Sequence, residues 1–116
     1  MGYRKGYRFE NWLVNELKKH GFVVIRSAKS GGIDVVALKD GKTFGFECKY
    51  SSGSRIRVPE SEMKFMERFM DQGGLAFLVV KFKRKGVWVL YPNKSMSEKE
   101  LKVYGLPWDR FIWFVC

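Results

Sequence analysis

The stretch IDVVALKDGKTFGFECKY, residues 33–50, has the pattern of two β-strands joined by a tight turn. Asp40 and Gly41 lie between runs rich in Val, Leu, Phe and Thr, and an Asp-Gly pair in that setting is a strong β-hairpin signal. If these two residues form the loop, the register places Asp34 directly opposite Glu47. The sequence therefore predicts a hairpin in which two carboxylates are cross-strand neighbours.

One face of this hairpin is polar and the other is apolar. Because side chains alternate along a strand, Lys49 shares the face of Asp34 and Glu47, whereas Phe46 lies on the opposite face. Like charges directly opposite each other destabilise a sheet by up to about 1 kcal/mol, so the two acids need a compensating partner. A Mg²⁺ ion would serve, since it takes one or two carboxylates with waters and phosphates, and Lys49 could then polarise a metal-bound water or stabilise a phosphate. A solvated polar face on an ordinary hairpin is an equal alternative.

Glu10 offers a third carboxylate. It lies beside Phe9 at the border of the apolar stripe of the first predicted helix, from which it could lean toward Asp34 and Glu47 and complete a metal site. A first-turn glutamate that interacts favourably with the helix dipole is the alternative. The spacing leaves both interpretations open.

The composition is that of one globular domain covering residues 1–116. Hydrophobic residues make up 46% of the chain, a share that argues against intrinsic disorder and supports a real core. No apolar run reaches the roughly eighteen residues of a membrane span, and the charged start is not followed by the apolar segment of a signal peptide, so we expect a cytoplasmic protein without a membrane partner. Cys48 and Cys116 form neither a disulfide framework nor a metal-ligand spacing, and we expect free thiols.

The charge of the chain predicts a polyanionic partner. It carries 22 Lys and Arg against 12 Asp and Glu, a net charge of +10. Such a protein binds nucleic acid through phosphate contacts that depend little on sequence and weaken as salt rises. A merely solvated surface or an anionic membrane is the alternative, but no segment joins a basic face to a strong apolar face. The basic residues gather at Arg4, Lys5, Arg8, Arg55, Arg57, Lys81, Lys83, Arg84 and Lys85.

Hydrophobic periodicity along the chain predicts the order α-β-β-β-α-β-β. This order is typical of an α/β (α+β) fold in which helices flank a central mixed β-sheet. The predicted helices cover residues 6–19, ended by Gly21, and residues 60–72. Besides the hairpin, the predicted strands cover residues 22–26, 75–82 and 86–91.

The end of the chain and one loop each have two interpretations. Ser95 or Ser97 could cap a short helix over residues 98–103, and FIWFVC, residues 111–116, is apolar enough for a last strand or a surface for a partner. The loop SSGSRIR, residues 51–57, predicts a mobile segment that closes on DNA, or an ordinary solvated loop.

Two sets of large side chains could serve the core or an interface. The second predicted helix carries a Met and Phe stripe that, with FIWFVC, could form a self-complementary dimer surface, although such a stripe is more typical of plain core. The tryptophans are likewise more typical of core or interface than of base-stacking platforms. These residues are Met63, Met66, Phe69 and Met70, and Trp12, Trp88, Trp108 and Trp113.

The motif residues resemble a known nuclease pattern. Asp34 followed by Glu47-Cys48-Lys49 matches the D-x(n)-E-x-K core of the PD-(D/E)xK nuclease superfamily, with Ile33 where a proline usually stands. The longer run YRKGYRFENWLVNELKKHGFVVIRSAKSGGID resembles the opening of archaeal-type Holliday junction resolvases, in its RKG start, helix glutamate, KHGF junction and RSAxS segment. The resemblance covers residues 3–50 well and fades after about Tyr91.

This resemblance implies a restriction-endonuclease-like core and a metal-dependent endonuclease that cuts four-way DNA junctions by paired symmetric nicks, working as a homodimer. The implied cofactor is Mg²⁺, which Mn²⁺ could replace. Carried over by residue, Glu10, Asp34 and Glu47 are the metal-binding acids, Lys49 is the catalytic lysine and Ser30 is a loop serine near the scissile backbone. The implied DNA contacts are Arg4, Lys5, Arg8, Arg26, Lys29, Arg55 and Arg57.

Two departures from the pattern limit this transfer. Asn11 stands where some relatives have an arginine after the helix glutamate, and the terminal FIWFVC has no match that would identify a dimer interface. Two other functions stay open. One is an endonuclease of the same superfamily that acts on duplex or flap DNA, and the other is a basic DNA-binding module without catalysis.

Overall fold

A computed structural model of the protein describes residues 2–28 and 31–116, the first four of these by their backbone alone. The helices are α1 (Gly2–Lys19), α2 (Glu60–Asp71), α3 (Glu98–Tyr104) and α4 (Trp108–Val115). The strands are β1 (Val23–Arg26), β2 (Val35–Lys39), β3 (Lys42–Ser51), β4 (Arg55–Arg57), β5 (Leu75–Phe82), β6 (Val87–Leu90), β7 (Ser95–Ser97) and β8 (Leu106–Pro107). None of the helices in these described ranges has the length and apolar composition of a membrane-spanning segment.

Six strands form one mixed sheet in the order β1-β2-β3-β5-β6-β8, and β4 pairs with β7 in a separate two-stranded sheet. The central strands β3 and β5 run parallel and are joined through β4 and α2, whereas the other neighbours in the large sheet are antiparallel. The predicted central mixed sheet flanked by helices is confirmed.

The hairpin of β2 and β3 has the predicted turn and register. Asp40 (φ 52°) and Gly41 (φ 78°) both have positive φ, as a two-residue primed turn requires. Val36 pairs with Gly45 as predicted, but the ladder ends where Val35 pairs with Phe46.

Asp34 therefore lies just before the ladder. The prediction that Asp34 and Glu47 are directly paired across the two strands is wrong. The amide of Asp34 donates a hydrogen bond to the carbonyl of Phe46 (2.8 Å), and its side-chain Oδ2 accepts one from the amide of Cys48 (2.9 Å). These two bonds hold the segment that leads into β2 against the middle of β3. The carboxylate of Asp34 is thereby held beside Glu47, although by a different route from the one that strand pairing predicts.

The central strands of the sheet are buried on both faces. On one face α1 and α4 cover a core that includes Leu13, Phe46 and Phe111. On the other face a second core, with Met66 and Leu78 among its fully buried side chains, packs against α2 and α3. Because the Met and Phe stripe of α2 packs into this second core, its interpretation as core is confirmed.

Three predictions about the elements differ from the structure. Helix α1 begins at Gly2 rather than at residue 6. Within the predicted mobile loop 51–57, Arg55–Arg57 forms β4, because Met96 in the middle of β7 gives Ile56 a buried partner. The predicted last strand over residues 111–116 is wrong, since these residues lie mainly in helix α4. Read together with Trp108, the buried positions are three and four residues apart, which is helical spacing.

We expect Gly45→Ala to destabilise the protein by about 1–3 kcal/mol, because an added Cβ overpacks the interface between β3 and α2. It would lie 2.6 Å from Cδ1 of Ile33 and 2.9 Å from the ring of Phe69. Urea unfolding measures the effect. Gly86→Ala is the matched control, since its Cβ would meet no heavy atom within 4 Å, and equal stabilities for the two variants would contradict the expectation.

Candidate active site

The polar residues of the hairpin meet at the middle of the sheet, on the face covered by α2. Glu47 and Lys49 alternate along β3 with Phe46 and Cys48, which belong to the core under α1. Glu47 is only 4% exposed and is the one buried charged side chain among the residues that the structure describes. A charged group in such a position is unfavourable unless neighbouring groups provide an opposite charge or hydrogen bonds.

The environment of Glu47 opposes its ionisation. Burial, and then the negative charge and hydrogen bonding of the neighbouring Asp34, raise its pKa to about 9. Its Oε1 accepts no hydrogen bond from any described residue. The predicted meeting of these two acids is therefore observed, and it leaves one buried oxygen without a donor.

Lys49 supplies the compensating charge. Its Nζ lies 3.2 Å from Oε2 of Glu47 and 2.6 Å from Oε1 of Glu62. Burial acts to lower the pKa of Lys49, but the hydrogen bond to Glu62 and the attraction of both carboxylates outweigh it and raise this pKa. The ammonium is thus held in its charged form between two acids.

Glu62 is a site residue that the sequence reasoning missed. It lies in the first turn of α2, where an acid is already explained by the helix dipole, so its position carries no separate signal. Only the packing of α2 against the sheet brings its carboxylate to Lys49, thirteen residues away in the chain.

Glu10 is held by an arginine on the other side of β3. The guanidinium of Arg26 binds the carboxylate of Glu10, with Nε 3.1 Å from Oε2, and donates a second hydrogen bond to Oδ1 of Asn11 (2.5 Å). The charge of Glu10 is close enough to contribute, after burial and Asp34, to the raised pKa of Cys48. Asn11, which departs from the family pattern, is therefore a partner of Arg26.

The described ranges contain no cluster of three or more Asp, Glu, His or Cys side chains arranged to hold a metal ion. Glu10 as a third ligand and Arg26 as a phosphate contact remain predictions, since in this conformation each neutralises the other. Asp34 and Glu47 by themselves fit a Mg²⁺ ion, which commonly takes one or two carboxylates and completes its shell with waters. The buried oxygen of Glu47 that lacks a donor supports this fit.

The remaining predicted contacts are exposed, engaged within the chain, or outside the described part of the chain. Ser30 and Lys29 fall outside the described residues, as do the side chains of Arg4 and Lys5. Arg8 and Arg57 are exposed, on α1 and β4 respectively. Arg55 is engaged within the chain, because its guanidinium donates to Ser95 (2.7 Å) and lies 3.2 Å from a carboxylate oxygen of Glu100.

The chain is similar in sequence to known members of one protein family. Residues 1–107 match the family model described as archaeal Holliday junction resolvase (Hjc). The crossover junction endodeoxyribonuclease Hjc of Methanocaldococcus jannaschii is 41% identical over 81 residues, which cover 69% of this chain and 61% of the relative. The protein of the same name from Sulfolobus acidocaldarius is 33% identical over 85 residues, covering 66% of this chain and 59% of that relative. The chain thus spans about three fifths of the length of these curated relatives.

The fold is similar to that of a solved structure. The Holliday junction resolvase Hjc of Archaeoglobus fulgidus superposes with a TM-score of 0.78, over 94% of this chain and 96% of that one, at 24% sequence identity. The resemblance in three dimensions therefore extends over nearly the whole of both chains, including the sheet that carries Glu47 and Lys49.

We expect Glu47→Gln to change how stability depends on pH in metal-free buffer. Folded protein keeps a proton on Glu47 up to about pH 9, whereas the unfolded chain releases it near the ordinary glutamate pKa. The folded state thus binds more protons across this window, so wild-type stability falls as pH rises through it. From about pH 5 to about pH 8 the variant should gain at least about 2 kcal/mol relative to wild type, measured by urea unfolding. Glu67→Gln, at an exposed position of α2, is the matched control, and parallel curves for all three proteins would refute the expectation.

Proposed function

Because the chain belongs to the archaeal Holliday junction resolvase family, we propose that it is an endodeoxyribonuclease that resolves four-way DNA junctions by paired nicks. The observation that carries this proposal is the buried carboxyl of Glu47 beside Asp34, with the ammonium of Lys49 3.2 Å away. A strongly perturbed acid with a specific charged partner is typical of catalytic sites. The similar proteins named crossover junction endodeoxyribonuclease support the same chemistry.

Asp34 and Glu47 would hold the cofactor, which we propose is Mg²⁺, with Mn²⁺ as a possible substitute. When bound, the cation supplies positive charge next to the scissile phosphate and makes a water more acidic. Glu47 would give up its proton as the cation binds, since metal ligands must be deprotonated. In the metal-free folded protein, the proton on Glu47 offsets the negative charge of the acid pair. A bound cation would take over this role.

The side chains around the acids have separate tasks in phosphodiester hydrolysis. Lys49 can donate to a phosphate oxygen and stabilise the negative charge that builds there during the reaction. Glu62 keeps the Lys49 ammonium in place and charged, since it provides the shorter of its two contacts, at 2.6 Å.

Arg26 and Glu10 form a pair that DNA could open. A phosphate competes well for a guanidinium, because both groups can make two parallel hydrogen bonds. If a phosphate takes Arg26, the carboxylate of Glu10 loses its partner and becomes free to approach Asp34. This exchange would reconcile the predicted third metal ligand with the ion pair observed in the DNA-free protein.

The substrate and the assembly follow from charge and symmetry. A net charge of +10 favours binding to the phosphate backbone, which is concentrated where four duplex arms meet. Paired nicks require two sites related by a two-fold axis, so we propose an isologous homodimer. Helix α4 is a candidate contact, because Trp113 is 75% and Phe114 65% exposed while the opposite side of the helix is buried.

We expect Asp34→Asn and Glu47→Gln to lower the nicking rate of a synthetic four-way junction by at least about 100-fold in the presence of Mg²⁺, while changing junction affinity by less than about 3-fold. Both variants keep the basic surface and lose only the ligands for the cation. Gel analysis of nicked strands gives the rate, and mobility shift without metal gives the affinity.

Asp71→Asn, at an exposed position on α2, is the matched control and should cut normally. Linear duplex and flap substrates of equal length distinguish a junction enzyme from another endonuclease of the superfamily. Unimpaired nicking by either site variant would remove these acids from the proposed metal site, and junction binding without cutting by the wild type would leave only a DNA-binding module.

We expect Trp113→Glu to convert a dimer into a monomer at micromolar concentration, because a charge placed in an apolar self-contact is left without solvation. Sedimentation velocity measures the change. Val23→Glu is the matched control, since Val23 is 64% exposed on β1 at the opposite edge of the sheet from β8, where α4 begins. A wild type that sediments as a monomer would overturn the homodimer, and a dimer that survives Trp113→Glu would move its interface away from α4.

A further inference from the structure

A second concave site lies on the α1 face of the sheet, separate from the acids under α2. This aromatic cleft has a volume of about 430 Å³ and opens between the middle of α1, the end of β3 and the adjoining parts of β5 and β6. Its volume is within the range of small-molecule sites, roughly 300–1,000 Å³. The lining residues are Arg8, Phe9, Trp12, Tyr50, Lys81 and Val87.

The walls of the aromatic cleft are rings held by packing. Phe9 stacks against Trp12 with centroids 5.9 Å apart and meets Tyr50 at 6.5 Å. Trp12 is supported from behind by the edge of Trp108 at 5.3 Å, and the indole nitrogen of Trp108 donates to Oε1 of Glu16 (3.1 Å). The flat surfaces are therefore largely preorganised before any ligand arrives, which reduces the entropy lost on binding.

The charge at the aromatic cleft identifies the class of ligand. Arg8 and Lys81 lie among its lining residues, and no acid is among them. Flat apolar walls with cations beside them match a nucleotide, whose base stacks on aromatic rings while its phosphate contacts arginine or lysine. A purely apolar side chain of a protein partner would gain nothing from the two cations.

The aromatic cleft is connected to the active site through the backbone. Phe9 precedes Glu10 on α1, and Tyr50 follows Lys49 on β3, so each wall is the chain neighbour of a predicted catalytic residue. Because Tyr50 and Lys49 point to opposite faces of β3, a base in the aromatic cleft and a phosphate at the acids would belong to different segments of a branched DNA.

We propose that the aromatic cleft binds one unpaired base of a branched DNA substrate, an inference that rests on the proposed nuclease function. Extruding a base from a continuous duplex requires unstacking and unpairing, whereas bases at a branch point are already less constrained. The aromatic cleft would thus favour branched DNA over duplex DNA, and it gives the enzyme a source of structure selectivity that the acids and the lysine do not provide.

The experiment compares wild type with Tyr50→Leu on four-way junctions in which single bases near the branch point are replaced, one at a time, by an abasic residue. Binding is measured in EDTA so that no strand is cut. For wild type, loss of the base at one position should weaken binding by about 5- to 150-fold, the range of a base–aromatic stack, and Tyr50→Leu should abolish this difference. Tyr50→Phe, which keeps a ring, should behave as wild type.

Two controls separate stacking from folding and from charge. Tyr91→Leu is the same substitution at a ring that is 69% exposed and does not line the aromatic cleft, and it should leave the abasic effect unchanged. Arg8→Ala should weaken intact and abasic junctions equally, because it removes a phosphate contact and no stacking surface. Unfolding midpoints check that every variant is folded.

A separate arm keeps the test independent of the nuclease. Wild type should bind a short thymidine oligonucleotide more tightly than an abasic strand with the same phosphates, and Tyr50→Leu should bind the two alike. Wild type that nicks junctions with Mg²⁺ but binds every abasic junction and both single strands equally would overturn the cleft proposal alone. Wild type that distinguishes the two single strands but never nicks a junction would keep the cleft and overturn the proposed function.

Discussion

The buried carboxyl of Glu47 beside Asp34 is the constraint around which the rest of the site is arranged. An acid that is 4% exposed and faces a second acid destabilises the folded state unless it is protonated or lies next to a cation. The ammonium of Lys49, two residues along the same strand, supplies positive charge next to Glu47. Since the strand is central in the sheet and covered on both faces, these groups cannot move away from one another, and a bound cation would take the place of the proton that Glu47 keeps.

The charge balance extends outward from this pair in two directions. On the α2 side Glu62 shares the ammonium of Lys49. On the α1 side Arg26 binds Glu10 and Asn11, so the arginine is satisfied without DNA. Glu10 thus has a basic neighbour of its own, whereas Glu62 and the Glu47–Asp34 pair share the single ammonium of Lys49. An incoming phosphate would add further negative charge, which explains why a metal cation and DNA are expected to bind together.

Much of the hairpin was predictable because its information is local. Asp40-Gly41 specifies the turn, and the turn specifies which residues of β2 and β3 pair. The prediction failed for Asp34 because its amide bonds to the carbonyl of Phe46, which already pairs with Val35. Side-chain alternation does not encode this detail of how a strand begins. It failed for residues 111–116 because the helical spacing begins at Trp108, outside the apolar run that suggested a strand. Strand β4 was missed because its partner β7 is forty residues away.

The sequence by itself determined the mixed sheet, the proximity of Asp34, Glu47 and Lys49, and the net charge of +10 from which a polyanionic partner is proposed. Turn chemistry and alternation act over short distances, and net charge is a property of the whole chain. Only the tertiary structure decided that Glu62 forms an ion pair with Lys49 and that Arg26 forms one with Glu10. It also decided that Phe9, Trp12 and Tyr50 line a common cleft. These contacts join residues from different elements. Their existence depends on how α1 and α2 pack on the sheet, and no periodicity along one segment contains that information.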